Sequence, residues 1–362
     1  MVKAILVTGG AGYIGSHTAL YLTQQGYKVI ILDDYSQQQD FAPNWPEKII
    51  KADFADEQVL HEIFTSYTIL AIMHFAGSTE VGLSVTSPLD FYDNNVAKTI
   101  KLIKIALAHG VNKIIFSSSC AVYGIPEYLP LTETHPCHPI SPYGQTKLMV
   151  EQILQDCALA YNLQFVILRY FNAAGALPEY NLSEQHTPET HLIPLLFRAV
   201  INQASASQAS SNQVNSNKTS FNQANYSQAS VGQAGFKIFG HDYDTVDGSC
   251  VRDYLHVWDL AAAHYLAFVH LQNNLPSEIF NLGTGQGYSV LQIVRAVERV
   301  TGVSLKLELA DRRAGDPAVL VADASRARDI LKWAPQILDL DFMLRSVWVG
   351  LMGDRRSPSP IS

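Results

Sequence analysis

Tyr143 and Lys147 stand four residues apart in the run Ser141-Pro142-Tyr143-Gly144-Gln145-Thr146-Lys147. On a helix that spacing puts both side chains on one face. An ammonium held beside a phenol favours the phenolate, so the tyrosine can take a proton below its ordinary pKa of about 10. Near the chain start, Gly9, Gly12 and Gly15 follow the apolar run Lys3–Thr8 and open a helical pattern carrying Ile14, Leu20 and Leu22. In a strand–loop–helix setting the first glycine permits the tight turn. The second lets backbone N–H groups approach a pyrophosphate, and the third lets the helix pack close to the strand. The helix N-terminus adds partial positive charge where phosphates would sit. The plainer readings are a surface Tyr/Lys pair and a glycine turn without a ligand. Their joint occurrence favours an enzyme with a tyrosine base and a bound dinucleotide.

A second apolar run, Lys28–Leu32, ends in Asp33-Asp34. A carboxylate at the end of this strand accepts hydrogen bonds from the adenosine ribose and repels a 2′-phosphate, which favours NAD over NADP.

Other elements must position these groups. Candidate strands are Lys48–Ala52, Ile69–His74, Lys113–Ser117 and Gln164–Arg169, and candidate helices are Asp56–Ser66, Asn94–His109 and Tyr143–Tyr161. This alternation predicts an α/β fold: a doubly wound parallel sheet (Rossmann) covered on both faces, with a smaller mixed α/β C-terminal substrate lobe. We place the NAD-binding domain at 1–172, its sheet completed by later segments, and the substrate lobe at 173–362. From Asn202 to about Gly235 the sequence is almost all Asn, Gln, Ser and Ala, too poor in apolar residues to offset ordering entropy, and we expect a disordered insertion there.

Composition narrows the function classes. With 362 residues, 48% hydrophobic, the chain can build a large packed core. No apolar run reaches the roughly 18 residues that span a bilayer, and Met1-Val2-Lys3 leads straight into the first strand, so we expect no signal peptide. A net charge of −8 argues against nonspecific nucleic-acid binding. Cys120, Cys137, Cys157 and Cys250 show no metal or disulfide spacing and read as reduced cytoplasmic thiols.

Seven separated motifs occur in order: T-G-G-A-G-Y-I-G-S-H at 8–17, H-F-A-G at 74–77, Y-D-N-N-V at 92–96, F-S-S-S-C-A-V-Y-G at 116–124, S-P-Y-G-Q-T-K at 141–147, L-R-Y-F-N at 168–172 and V-R-D-Y-L-H-V-W-D-L-A at 251–261. With them the chain resembles the extended short-chain dehydrogenases/reductases, and among these the UDP-glucose 4-epimerases. The resemblance implies Ser119, Tyr143 and Lys147 as the catalytic set. It implies cofactor contacts at Gly9, Gly12, Tyr13, Ile14, Gly15, Asp33, Asp34, Asp53, Phe54, Phe75, Ala76, Gly77, Thr79, Asn94, Ser117, Tyr143, Lys147, Tyr170 and Phe171. Substrate contacts are implied at Ser119, Asn172, His191, Leu192, Phe239, Arg252, Arg313, Asp316 and Leu320. No metal is expected. The implied partners are a UDP-hexose and a second copy of the chain as a homodimer.

The implied reaction interconverts UDP-glucose and UDP-galactose by transient oxidation at C4 with NAD, rotation of the 4-keto sugar, and return of the hydride to the other face. Three departures stand out. Thr79 replaces a lysine common in bacterial relatives, His191 replaces an asparagine that touches substrate, and the loop after Asp34 is shortened. Alternatives remain. The substrate could be UDP-xylose/arabinose or UDP-N-acetylglucosamine. A dehydratase would need an Asp-Glu pair after Ser119, where this chain has Cys120-Ala121. A NAD-binding sensor without catalysis is the remaining class.

Overall fold

Ile5, Leu6 and Val7 are fully buried, as are Val29 to Leu32, which is what strands covered on both faces require. The computed structural model describes residues 1–37, 41–186, 189–211, 229–231, 235–313 and 316–352. The first six strands are Val2–Thr8 (β1), Val29–Asp33 (β2), Lys48–Lys51 (β3), Tyr67–His74 (β4), Lys113–Ser119 (β5) and Gln164–Tyr170 (β6). The chain then leaves the sheet through Asn172–Ala174 (β7), Ala229–Val231 (β8), Phe236–Phe239 (β9) and Val251–His256 (β10). It returns as Glu278–Leu282 (β11) beside β6. The sheet order is β11-β6-β5-β4-β1-β2-β3, and every neighbouring pair is parallel. Strand order reverses between β1 and β4, so a crevice opens beyond Thr8 and His74, where such sheets bind ligands. The doubly wound parallel sheet expected from the alternation is the one found.

Capping explains where the helices begin. Asp56 accepts a hydrogen bond from Val59 N at the start of Glu57–Ser66. Ser141 accepts one from Gly144 N at the start of Pro142–Tyr161, with Pro142 at the first position. The helix expected from Asn94 starts earlier and differently. Tyr92–Ala97 is a π-helical turn that passes into the α-helix Lys98–Ala108. The widened turn carries Asn95, which is buried and bonds Ser78 N, Ser78 O and Thr146 Oγ1. It therefore ties the Phe75–Thr79 segment to the Tyr143 helix, a use typical of such insertions.

A buried ion pair locks that helix to the sheet. Arg169 Nη2 and Glu151 Oε2 lie 2.5 Å apart with side chains 4% and 0% exposed. Ser118 Oγ donates to Glu151 Oε1 at 2.5 Å. Removing one partner would leave a buried charge uncompensated, at a cost on the order of 3–5 kcal/mol.

The C-terminal lobe holds the remaining strands, Gly287–Ser289 (β12), Leu307–Ala310 (β13) and Val319–Leu320 (β14). One sheet has the order β12-β10-β14 with β7 beside β10, and another the order β13-β9-β8. Helices Leu192–Ser211, Val290–Thr301 and Leu340–Met352 pack on them through Phe197, Ile293 and Leu344, with Ile238 from β9. Here the sequence expectation needs correction. The low-complexity segment was expected to lack structure from Asn202, yet the helix runs on to Ser211 and Ala229–Val231 pairs with β9. Ala and Gln are good helix formers, and Gln203 Nε2 fastens the extension to Ser304 O at 2.6 Å. The rest of that segment lies outside the described residues. Among the described residues no helix is long and apolar enough to cross a membrane. The four cysteines are free.

Candidate active site

A cavity of about 780 Å³ fills the crevice between sheet and lobe. Its walls include every residue singled out from the sequence except Asp53 and Phe239. Asp53 sits just behind Phe54. Its carboxylate accepts from Ala55 N and pairs with Lys98 at 2.6 Å, which together hold it below the usual carboxylate range despite partial burial. Phe239 lies under the Arg313 guanidinium, 4.1 Å from its ring centre, and reaches the cavity through that arginine.

The glycine loop is built for close approach. Gly9 has φ +71°, and a Cβ there would meet Ala76 N at 2.5 Å. A Cβ on Gly15 would lie 2.1 Å from Gly9 O. The helix Tyr13–Gln24 begins at Gly12 with no side-chain cap, leaving its first N–H groups open toward the cavity. These features fit a dinucleotide pyrophosphate. Asp33 Oδ2 accepts from Ala11 N at 2.9 Å and Oδ1 from Tyr35 N at 2.8 Å. It thus fastens the loop to the end of β2, and burial raises its pKa against those two bonds. Behind the loop, buried His74 bridges Thr8 and Thr99 at 2.7 and 2.9 Å, and burial lowers its pKa to about 3.

The three-serine run resolves by strand alternation. Ser118 turns to buried Glu151, whereas Ser117 and Ser119 face the cavity. Ser119 stands with Tyr143 in the cavity wall, and Ser117 Oγ contacts the Tyr170 hydroxyl. Lys147 Nζ donates to Ser117 O at 2.9 Å and lies 5.7 Å from the Tyr143 ring centre. Burial lowers the Lys147 pKa to about 8. The electrostatic expectation for Tyr143 is overturned for the chain alone. Burial, with the neighbouring Tyr170, raises its pKa, and Ser119 acts in the opposite direction.

On the lobe side, Arg252 on β10 is paired with Asp316, and β10 lies in parallel register with β14 so that Arg252 faces Leu320. Asp253, fully buried, fixes this register: its oxygens accept from Thr284 N, Thr284 Oγ1, Gly285 N and Ala322 N. Arg313 Nε and Nη2 are buried without a partner. Orphaned guanidinium donors at a cavity wall suit an anion such as a diphosphate. Asn172, Leu192 and Tyr254 complete this side.

His191 lines the cavity, and one of its ring nitrogens is engaged by carboxylates. Its Nδ1 lies 2.9 Å from carboxylate oxygens of both Glu184 and Glu189, which raise its pKa well above the usual value. Sequence reasoning passed over Glu184, His186 and Glu189, although the spacing Glu184-x-His186-x-x-Glu189-x-His191 was there to be read. It also missed Tyr254 and Ser78, which carry no type-specific signal.

The strand order, together with a glycine loop facing a Tyr/Lys helix across one cavity, defines the class as an extended short-chain dehydrogenase/reductase. The chain belongs to the NAD dependent epimerase/dehydratase family, whose model matches residues 5–283. It is 44% identical to the UDP-glucose 4-epimerase of Halalkalibacterium halodurans over 95% of this chain and 94% of that one. It is 43% identical to that of Rhizobium leguminosarum bv. trifolii over 96% of each. Among solved structures, UDP-glucose 4-epimerase from Brucella ovis in complex with NAD superposes with TM-score 0.84 at 40% identity, covering 96% of this chain and 98% of that one. The Bifidobacterium longum enzyme in complex with NAD+ and UDP gives 0.83 at 35% identity, covering 97% and 98%.

Proposed function

We propose that this chain interconverts UDP-glucose and UDP-galactose with bound NAD. NAD, when bound, supplies the acceptor and donor of the hydride at C4 of the hexose. The chain's residues do the rest. Tyr143 takes the proton of the 4-hydroxyl and later returns it, with Ser119 bridging the two oxygens. Lys147 holds the cofactor ribose and adds positive charge near the tyrosine. Arg313 and Arg252 hold the diphosphate, so the hexose can turn over while its nucleotide stays fixed. The presence of Ser119, Tyr143 and Lys147 in the same cavity as the glycine loop carries this reading. Incubating the purified protein with UDP-galactose tests it. UDP-glucose should form without added reductant. Absence of product, with no transient absorbance in the NADH band, would refute it and leave a non-catalytic binder.

A second reading concerns N-acetylated sugars. A solved UDP-Glc/GlcNAc 4-epimerase of Campylobacter jejuni is 37% identical, with TM-score 0.76. Leu320, 9% exposed at the cavity wall, favours the unsubstituted hexose by its bulk.

We further propose a cytoplasmic homodimer. Helices Val81–Thr86, Pro88–Phe91 and Pro142–Tyr161 pack together. They leave Leu89 and Met149 exposed at 79% and 38%. Sedimentation showing only monomer at micromolar concentration would remove the dimer.

A further inference from the structure

The nitrogen Nδ1 of His191 lies 2.9 Å from Glu184 Oε1 and 2.9 Å from Glu189 Oε1. One ring nitrogen carries at most one proton, so it cannot donate fully to both. The two carboxylate side chains are only 9% and 0% exposed. Two carboxylates removed from water therefore share a single N–H. Glu189 Oε1 also accepts from Thr190 N and His191 N, each at 2.8 Å, yet the Oε2 of the same carboxylate is buried and has no partner. A second imidazole stands beside them. His186 Nδ1 is 3.5 Å from Glu184 Oε1, is buried, and has no hydrogen-bond partner. The two histidine rings are 5.0 Å apart between centres. One ligand atom from each of the four residues can be chosen so that all lie within 4.8 Å of one another.

Charge and donor type point the same way. Two carboxylates against one imidazolium leave a net negative cluster, and buried charge is stable only when paired or bound to metal. A divalent cation would neutralise both carboxylates while both imidazoles served as neutral ligands. Two imidazoles with two carboxylates suit a borderline transition ion rather than magnesium or calcium, which prefer all-oxygen shells. Bonds of about 2.0–2.2 Å in a tetrahedron place ligands roughly 3.4 Å apart, so a spacing of 4.8 Å needs to close by about 1.4 Å.

We propose that Glu184, His186, Glu189 and His191 form a binding site for one divalent transition-metal ion of the zinc class. Four protein ligands leave no open position, so its role is structural. It pins the loop before helix Leu192–Ser211 to the cavity wall, beside Tyr13 at the start of the glycine-loop helix. This departs from the expectation, formed on the sequence, of a protein without metal, and it does not depend on which sugar is turned over.

The test uses the full chain, stripped with a chelator and desalted, then titrated with ZnCl2 by calorimetry. One equivalent should bind, and His186→Ala and Glu189→Gln should each weaken binding at least about 10-fold. His61→Ala serves as control, because His61 and His109 form a surface pair 2.6 Å apart that could also take metal. CoCl2 added to the unaltered chain gives an independent readout that does not rely on the variants folding. The intense visible d–d bands of a tetrahedral site should appear at one equivalent. Failure to bind Zn2+, or binding lost in His61→Ala but kept in His186→Ala, overturns the site, as does a weak octahedral cobalt spectrum.

Discussion

The Lys147 ammonium donates to the Ser117 carbonyl at 2.9 Å, so the last turn of β5 decides where the positive charge of the Tyr143 helix sits. That bond holds the ammonium 5.7 Å from the Tyr143 ring centre. Ser119 and Tyr143 share the cavity wall.

Tyr143→Phe should therefore lower kcat by about 10²–10⁴-fold, the usual worth of a positioned acid–base group. Bound NAD should remain, because the ring and Lys147 are kept. Cofactor content after denaturation and turnover of UDP-galactose are the two measurements. Turnover near that of the unaltered chain would move the proton transfer to another group.

Arg313→Ala removes buried donors that have no partner among the described residues. Hydrogen bonds to a charged group are worth about 1.5–3 kcal/mol, or roughly 10–150-fold. KM for UDP-glucose should rise by about that factor with kcat changed only a few-fold. A fall in kcat at constant KM would mean the arginine acts at the reacting carbon instead.

Leu320→Ser opens the wall opposite Arg252. A steric penalty against a 2-acetamido group of about 1–3 kcal/mol corresponds to roughly 10–200-fold in kcat/KM. The variant should gain UDP-N-acetylglucosamine activity relative to UDP-glucose. An unchanged ratio shows that Leu320 is not what excludes the larger sugar.

Four histidines are buried in neutral form. Burial lowers the pKa to about 4 for His17 and His264 and to about 3 for His74 and His256. Their unfolded pKa is about 6.5, so the unfolded chain binds more protons between pH 6.5 and 4. The stability is fully present above pH 6.5 and falls as pH drops through that window. Each histidine contributes a slope of up to about 1.4 kcal/mol per pH unit. Urea unfolding followed from pH 7 to 4.5 should show this. His264→Phe, which keeps the contact with Phe75 (ring centres 4.7 Å apart), should reduce the slope by one proton. Equal slopes for the two proteins would mean His264 is protonated in the fold.

Much of this protein was legible because its signals are local. The glycine loop, β1 and β2 rest on sequence-adjacent residues whose backbone needs are set by sterics, so Gly9 at φ +71° could be anticipated from its place after Thr8. Most strands and the longer helices up to Tyr161 followed from periodicity, while the short helices Val81–Thr86 and Pro88–Phe91 were not anticipated. Contacts distant in sequence were a different matter. Whether Ser117, Ser118 or Ser119 faces the cavity depends on which face of β5 meets Glu151, a residue 33 positions away from Ser118. The fate of the Lys147 charge depends on a carbonyl 30 residues off. His191 was singled out by motif position, but the two carboxylates that hold its Nδ1 could not be read from it. The low-complexity composition hid a helical extension that Ser304, 101 residues beyond Gln203, helps to hold. Residue type and spacing determine backbone shape and the menu of chemistry. Burial and the choice of hydrogen-bond partner, which set charge state and reach, exist only once distant segments meet.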